Sequence, residues 1–151
     1  MPNEHELRDN QGVLRYIAQG GDPATVTVKR PPEDVDRWRL GADPAVVGWL
    51  WDELNAVLPG DGRRLVGATA ALVEPESGLL VAVALGTQYA LRLSGQALPE
   101  AVAKGYVSVH HFRTVGRTLN LRESFGEGWV FGAMDAREPA WLASSLKGIA
   151  G

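Results

Sequence analysis

The chain contains no cysteine, which removes disulfides, thiolate catalysis and Cys-ligated zinc or iron–sulfur centres together. Aromatic residues are few, 7% of the total, yet five of them are tryptophan. No apolar run reaches the roughly 20 residues that a bilayer-spanning helix needs. The first residues, MPNEHELRDN, are polar and mixed in charge, unlike a secretory leader, so the expected location is the cytoplasm. Positive charge is not in excess either: the net charge is −3, the opposite of a dedicated nucleic-acid binder. The abundance of Ala, Gly, Arg and Pro is that of a GC-rich bacterial coding sequence.

Catalytic signatures are missing as well. Ser124 has arginine where a nucleophile elbow places its first glycine, and there is no Gly-x4-Gly-Lys-Ser/Thr phosphate loop. Gly126-x-Gly128-x3-Gly132 precedes a short apolar run instead of opening a helix, so these are turn glycines. The carboxylate pairs Asp34/Asp36, Asp52/Glu53 and Glu74/Glu76 fall on loops or on a polar helix face, and nothing brings them into an acid/base arrangement. No cofactor motif and no metal-ligand spacing are present. His110 and His111 are adjacent on a strand-like run and point to opposite faces, so they cannot share one metal ion.

What is present is a sheet. Residues 65–93, LVGATAALVEPESGLLVAVALGTQYALRL, read as a three-stranded antiparallel meander. Its first turn is Glu74-Pro75-Glu76-Ser77-Gly78, with proline presetting φ and glycine accepting the left-handed region. Its second is Gly86-Thr87, where glycine at the first central position fits a two-residue hairpin; a single bent strand over 79–93, bulged at Gly86, is the competing reading. Pairing Glu74 with Leu79 and Leu85 with Gln88 fixes the faces by alternation. One face collects Gly67, Thr69, Ala71, Val73, Leu80, Ala82, Ala84, Tyr89, Leu91 and Leu93. The other collects Ala68, Ala70, Leu72, Leu79, Val81, Val83 and Leu85, with Gln88, Ala90 and Arg92 on the third strand. An antiparallel sheet exposed on one side alternates apolar and polar; here both faces are apolar, so both need cover, from this chain or from a partner.

The clearest helix is 43–58. Asp43 is its N-cap and Pro44 its first residue, and Val46, Val47, Leu50, Trp51, Leu54, Val57 and Leu58 form one stripe. Trp49 falls off that stripe. A second helix is expected over 138–147, and further strands over 24–29, 106–113, 117–122 and 129–133. Residues 4–19 form a helix weakened by Gly12, with about 1–10 reading as a tail. At 151 residues, without repeats or linkers, this is one domain of α+β class with a mostly antiparallel sheet.

Charge is unevenly distributed. Residues 1–64 hold 8 basic against 11 acidic side chains, and the remainder 7 of each. Between Glu100 and Glu123 no acidic residue occurs, while Lys104, Arg113, Arg117 and Arg122 accompany the two histidines.

Three functions follow as expectations. The leading one is a non-catalytic protein-interaction module (homodimer, adaptor or immunity-like binder) contacting its partner through Val81, Val83, Leu85 and Trp49, because tryptophan is enriched at interface hot spots. The second is a small-molecule domain holding an anion on His110, Arg92, Asn120, Arg122 and Gln88, which requires the 88–93 and 106–113 strands to adjoin. The third is a nucleic-acid contact along the basic 104–122 segment.

Overall fold

The computed structural model describes residues 4–19, 21–93, 95–108 and 125–133. Within them, seven strands form one antiparallel sheet: β1 (Val28–Lys29), β2 (Arg63–Val66), β3 (Thr69–Val73), β4 (Leu80–Leu85), β5 (Gln88–Arg92), β6 (Val107–Ser108) and β7 (Trp129–Ala133). The order across the sheet is β1-β2-β3-β4-β5-β7-β6. Three α-helices accompany it: α1 (Gln11–Ile17), α2 (Pro44–Gly48) and α3 (Ala97–Ala103). The α+β class and the predominantly antiparallel sheet are as expected from the sequence.

The meander has four strands, not three. Residues 65–73 break at Gly67-Ala68, where Val66 pairs with Thr69 and Gly67 takes φ +62°. Glycine adopts that region without the Cβ clash other residues suffer. Gly86 does the same at φ +62°, and Leu85 faces Gln88 across it; the hairpin is formed and the single bent strand is not. At the other end, Glu74 N donates to Leu79 O at 2.8 Å, the expected pairing.

Alternation then fails between β3 and β4. Val73 faces Leu80, but Leu72 faces Ala82, so Val81 is an extra residue, a β-bulge. Val81 and Ala82, though consecutive, both belong to the same core cluster. The faces predicted from unbroken alternation are corrected accordingly. Ala70, Leu72, Val81, Ala82, Ala84, Tyr89, Leu91 and Leu93 share the core that includes the helix beginning at Pro44, while Ala71, Val73, Leu80, Val83 and Ala90 belong to the core of the opposite face.

Each face is covered by this chain. Over the first lies the helix beginning at Pro44, capped by the Asp43 carboxylate accepting from Ala45 N at 2.8 Å. Its expected stripe is buried apart from Val57, which is partly so, with Leu50 and Val47 fully inaccessible. The helix does not keep one pitch, however. Trp49–Leu54 is a π-helical turn and Asn55–Val57 a 3-10 turn. The wider π turn accounts for the one misplaced side chain: Trp49 is buried against Tyr89, with ring centroids 4.5 Å apart, where a uniform 3.6-residue wheel puts it outside.

Over the second face lie Val13 and Leu14 of α1 with Phe125, packed on Trp129 and Phe131 of β7. Residues 4–10 form two 3-10 turns, Glu4–Glu6 and Arg8–Asn10. Asn10 ties them down: its side-chain amide donates to Gly78 O and Glu4 O and accepts from Leu80 N at 2.8 Å, with no exposure. A shielded ion pair between Glu4 and Arg64 (3.5 Å) joins the same segment to β2. The strand expected over 24–29 shortens to Val28–Lys29, because Asp22 caps a 3-10 turn at Pro23–Thr25. The helix expected over 138–147 and the strand over 117–122 lie outside the described residues.

Candidate functional site

Both faces of the sheet being filled, the predicted contact residues are found inside. Val81 is 1% exposed and Val83 0%, and Trp49 is buried under the helix. Only Leu85, at the end of β4, is part-exposed.

The anion cluster depended on strand adjacency. β7 lies between β5 and β6, so the strand leading toward His110 is not the neighbour of the strand carrying Arg92. His110, Asn120 and Arg122 lie outside the described residues. Gln88 and Arg92 occupy opposite ends of β5, facing Ala133 and Trp129 respectively. Arg92 is turned onto the protein: its guanidinium donates to Leu80 O at 2.8 Å and Asp9 O at 2.7 Å and stacks 5.0 Å from the Trp129 ring centroid. Burial lowers its pKa, the nearby Asp9 charge partly opposing this, and it remains a cation at neutral pH. No carboxylate stands within ion-pair distance of it among the described residues. Two backbone carbonyls and an indole face satisfy it instead, so Arg92 links the N-terminal segment, β4 and β7.

Two features with free surface emerge from the remainder. The first is Trp38, 82% exposed, on the turn between Val35 and Leu40. Leu40 is buried and Val35 packs against the same core, so these two do anchor the segment, and the turn between them turns the indole outward. The turn is held at several points. Asp36 caps it, its carboxylate accepting from Trp38 N at 3.1 Å and pairing with Arg39 at 3.2 Å. Arg37 makes a two-pronged bond to Asp52 at 2.8 and 3.0 Å, its guanidinium 5.5 Å from the Trp51 ring centroid. That bond, foremost among its causes, lowers the Asp52 pKa and raises that of Arg37.

The second is a cavity of about 540 Å³ at the end of the sheet where the Gly67-Ala68 and Gly86-Thr87 turns sit. The end of α1 and the residues just before α2 close on it. Asp43 N donates to Gly86 O at 2.8 Å and fixes that wall to the hairpin.

Other polar groups have structural roles. Glu74, 6% exposed, caps its own turn by accepting from Glu76 N and Ser77 N. Tyr89 and Tyr106 join hydroxyl to hydroxyl at 2.7 Å inside the core. No grouping of His, Asp and Glu suited to a metal ion occurs among the described residues, and no helix among them is long and apolar enough to cross a membrane. Comparison with protein-family models, with curated proteins and with solved structures gives no match to this chain.

Proposed function

We propose that the protein is a non-catalytic interaction module that contacts a protein partner, or a second copy of itself, through the turn carrying Trp38 and not through the sheet. One observation carries this reading: a tryptophan 82% exposed on a turn tied down by the Asp36 cap and the Arg37–Asp52 pair. Burying an indole removes a large apolar area from water, and tryptophan and arginine dominate interface hot spots. Exposing one alone gains the folded monomer nothing. The cap at Asp36 and the Arg37–Asp52 fork lower the ordering cost of binding, since the turn need not be fixed when the partner arrives. Arg39, 86% exposed beside it, supplies a polar rim.

The test is the solution mass over a concentration range together with quantitative affinity capture, comparing wild type with Trp38→Ala. Loss of a dimer, or selective loss of one captured protein, in Trp38→Ala agrees with the reading. Identical mass and identical capture for the two baits reject it.

The anionic-ligand alternative leans on Arg92, whose donors are engaged at Leu80 O and Asp9 O. It predicts that Arg92→Ala abolishes binding of an anion while the fold survives.

A further inference from the structure

The cavity at the hairpin end of the sheet has a composition that selects a ligand. Ten described residues line it and none of these is charged, in a chain where 22% of residues are. Leu40, Ala84 and Leu85 give it apolar walls, and Tyr16, Gln19 and Thr69 are its polar side chains. Its volume, about 540 Å³, lies in the range of roughly 300–1,000 Å³ that small-molecule sites occupy. The backbone is shaped around it: Gly41 and Gly86 have φ of +66° and +62°, and Gln19 has φ +56°, the one non-glycine in the left-handed region among the described residues. These are turn positions and, for Gln19, the position just after the end of α1, and together they shape the mouth of the cavity. A cation or an anion entering here loses hydration without gaining a counter-charge. A neutral, largely apolar molecule with one or two hydrogen-bonding groups loses little and gains the walls.

We infer that this cavity is a binding site for a small uncharged amphipathic molecule, held by Leu40 and Leu85 and oriented by Tyr16, Gln19 and Thr69. The inference does not depend on the Trp38 contact, and either stands without the other. Ala68, exposed at the turn, lies at the rim and can carry a larger side chain without disturbing the core.

The experiment is a fluorescence titration of the intact chain with N-phenyl-1-naphthylamine, a neutral apolar probe, excited outside the tryptophan band. Ala68→Trp and Leu85→Trp are the filling variants and the exposed Arg15→Ala is the control. Each is first checked for an unchanged circular-dichroism spectrum and melting temperature. The expected result is saturable one-to-one binding by wild type and Arg15→Ala, weakened about tenfold or more in a filling variant that keeps its fold. Absent or non-saturable binding by wild type, or equal affinity in the filling variants, overturns the proposal. So does equally tight, competing binding of the anionic analogue 8-anilinonaphthalene-1-sulfonate, since an uncharged lining has to discriminate against it.

Discussion

At the scale of single residues, the sharpest constraints come from positions where nothing larger fits. Gly62 lies where Val73 N donates to its carbonyl, and a Cβ there meets Val73 O at 2.2 Å. Backbone cannot yield as a side chain can, so Gly62→Ala is expected to cost about 1–3 kcal/mol, measured by denaturant unfolding. Asn10 is the complementary case, a buried side chain using both its donor and its acceptor. Asn10→Ala strands Leu80 N and Gly78 O in a buried site, and each buried unsatisfied group costs about 1–3 kcal/mol. Asn10→Asp keeps the acceptor and loses the donor, so it recovers part of the loss at most. Neither position was legible in the sequence. Gly62 sits in Pro-Gly-Asp-Gly, which reads as a helix stop, and Asn10 is one polar residue among the many before α1. The importance of Asn10 arises from partners 68–70 residues distant, and that of Gly62 from the close approach of Val73 at the far end of β3.

At the scale of elements, what the sequence conveyed was local chemistry and what it concealed was departure from regular period. Asp43-Pro44 announced a helix start, and Gly86 announced a hairpin, because cap and turn residues act on their own neighbours. Gly67-Ala68 was missed because the turn has no Pro, Asn or Asp and sits within the small apolar run LVGATAALV. The bulge at Val81 and the π turn at Trp49–Leu54 were missed for one reason. Each inserts a residue into a period that pattern reading takes as constant: the bulge puts the faces before and after it out of step, while along the helix Trp49 alone departs from its expected side. The start of β2 shows an element end stabilised by charge. Asp61 accepts from Arg63 N at 3.0 Å and from its guanidinium at 2.9 Å, and the Arg63 hydrogen bond chiefly brings the Asp61 pKa down to about 2. A carboxyl whose folded pKa lies below its unfolded value, about 3.9, stabilises the fold fully above that value. The contribution is lost as pH falls through about 2. The pair is part-exposed at 41% and 35%, so solvent screening limits it to about 1 kcal/mol or less. The stability gap between wild type and Asp61→Asn is therefore expected to be constant from neutral pH to about 4. It should close on further acidification, as followed by urea unfolding at each pH.

At the scale of the whole molecule, the question the sequence left open was what covers two apolar sheet faces. The answer lies in two helical segments that precede the meander in sequence, joined by Phe125 from beyond it: the helix from Pro44 covers one face, α1 with Phe125 the other. A sheet so enclosed offers its strands to no partner face-on, and this changes what a charge placed in it should do. Val83 has no exposure and sits among Ala71, Ala90 and Phe131. Val83→Asp puts a carboxylate there with no counter-charge, a penalty of several kcal/mol against a total stability of about 5–15 kcal/mol. The expected outcome is collapse of the cooperative melting transition, not dissociation of an intact protomer. Trp38→Ala is the opposite case. The side chain has 82% of its surface in water and little packing to lose, so the melting curve should stay within about 0.5 kcal/mol of wild type while association is lost. Measured side by side by calorimetry and light scattering, the two variants separate stability from contact. If Val83→Asp instead yields a folded monomer and Trp38→Ala changes nothing, the interface belongs to the sheet after all, and one of its two covering layers must lift off to admit the partner.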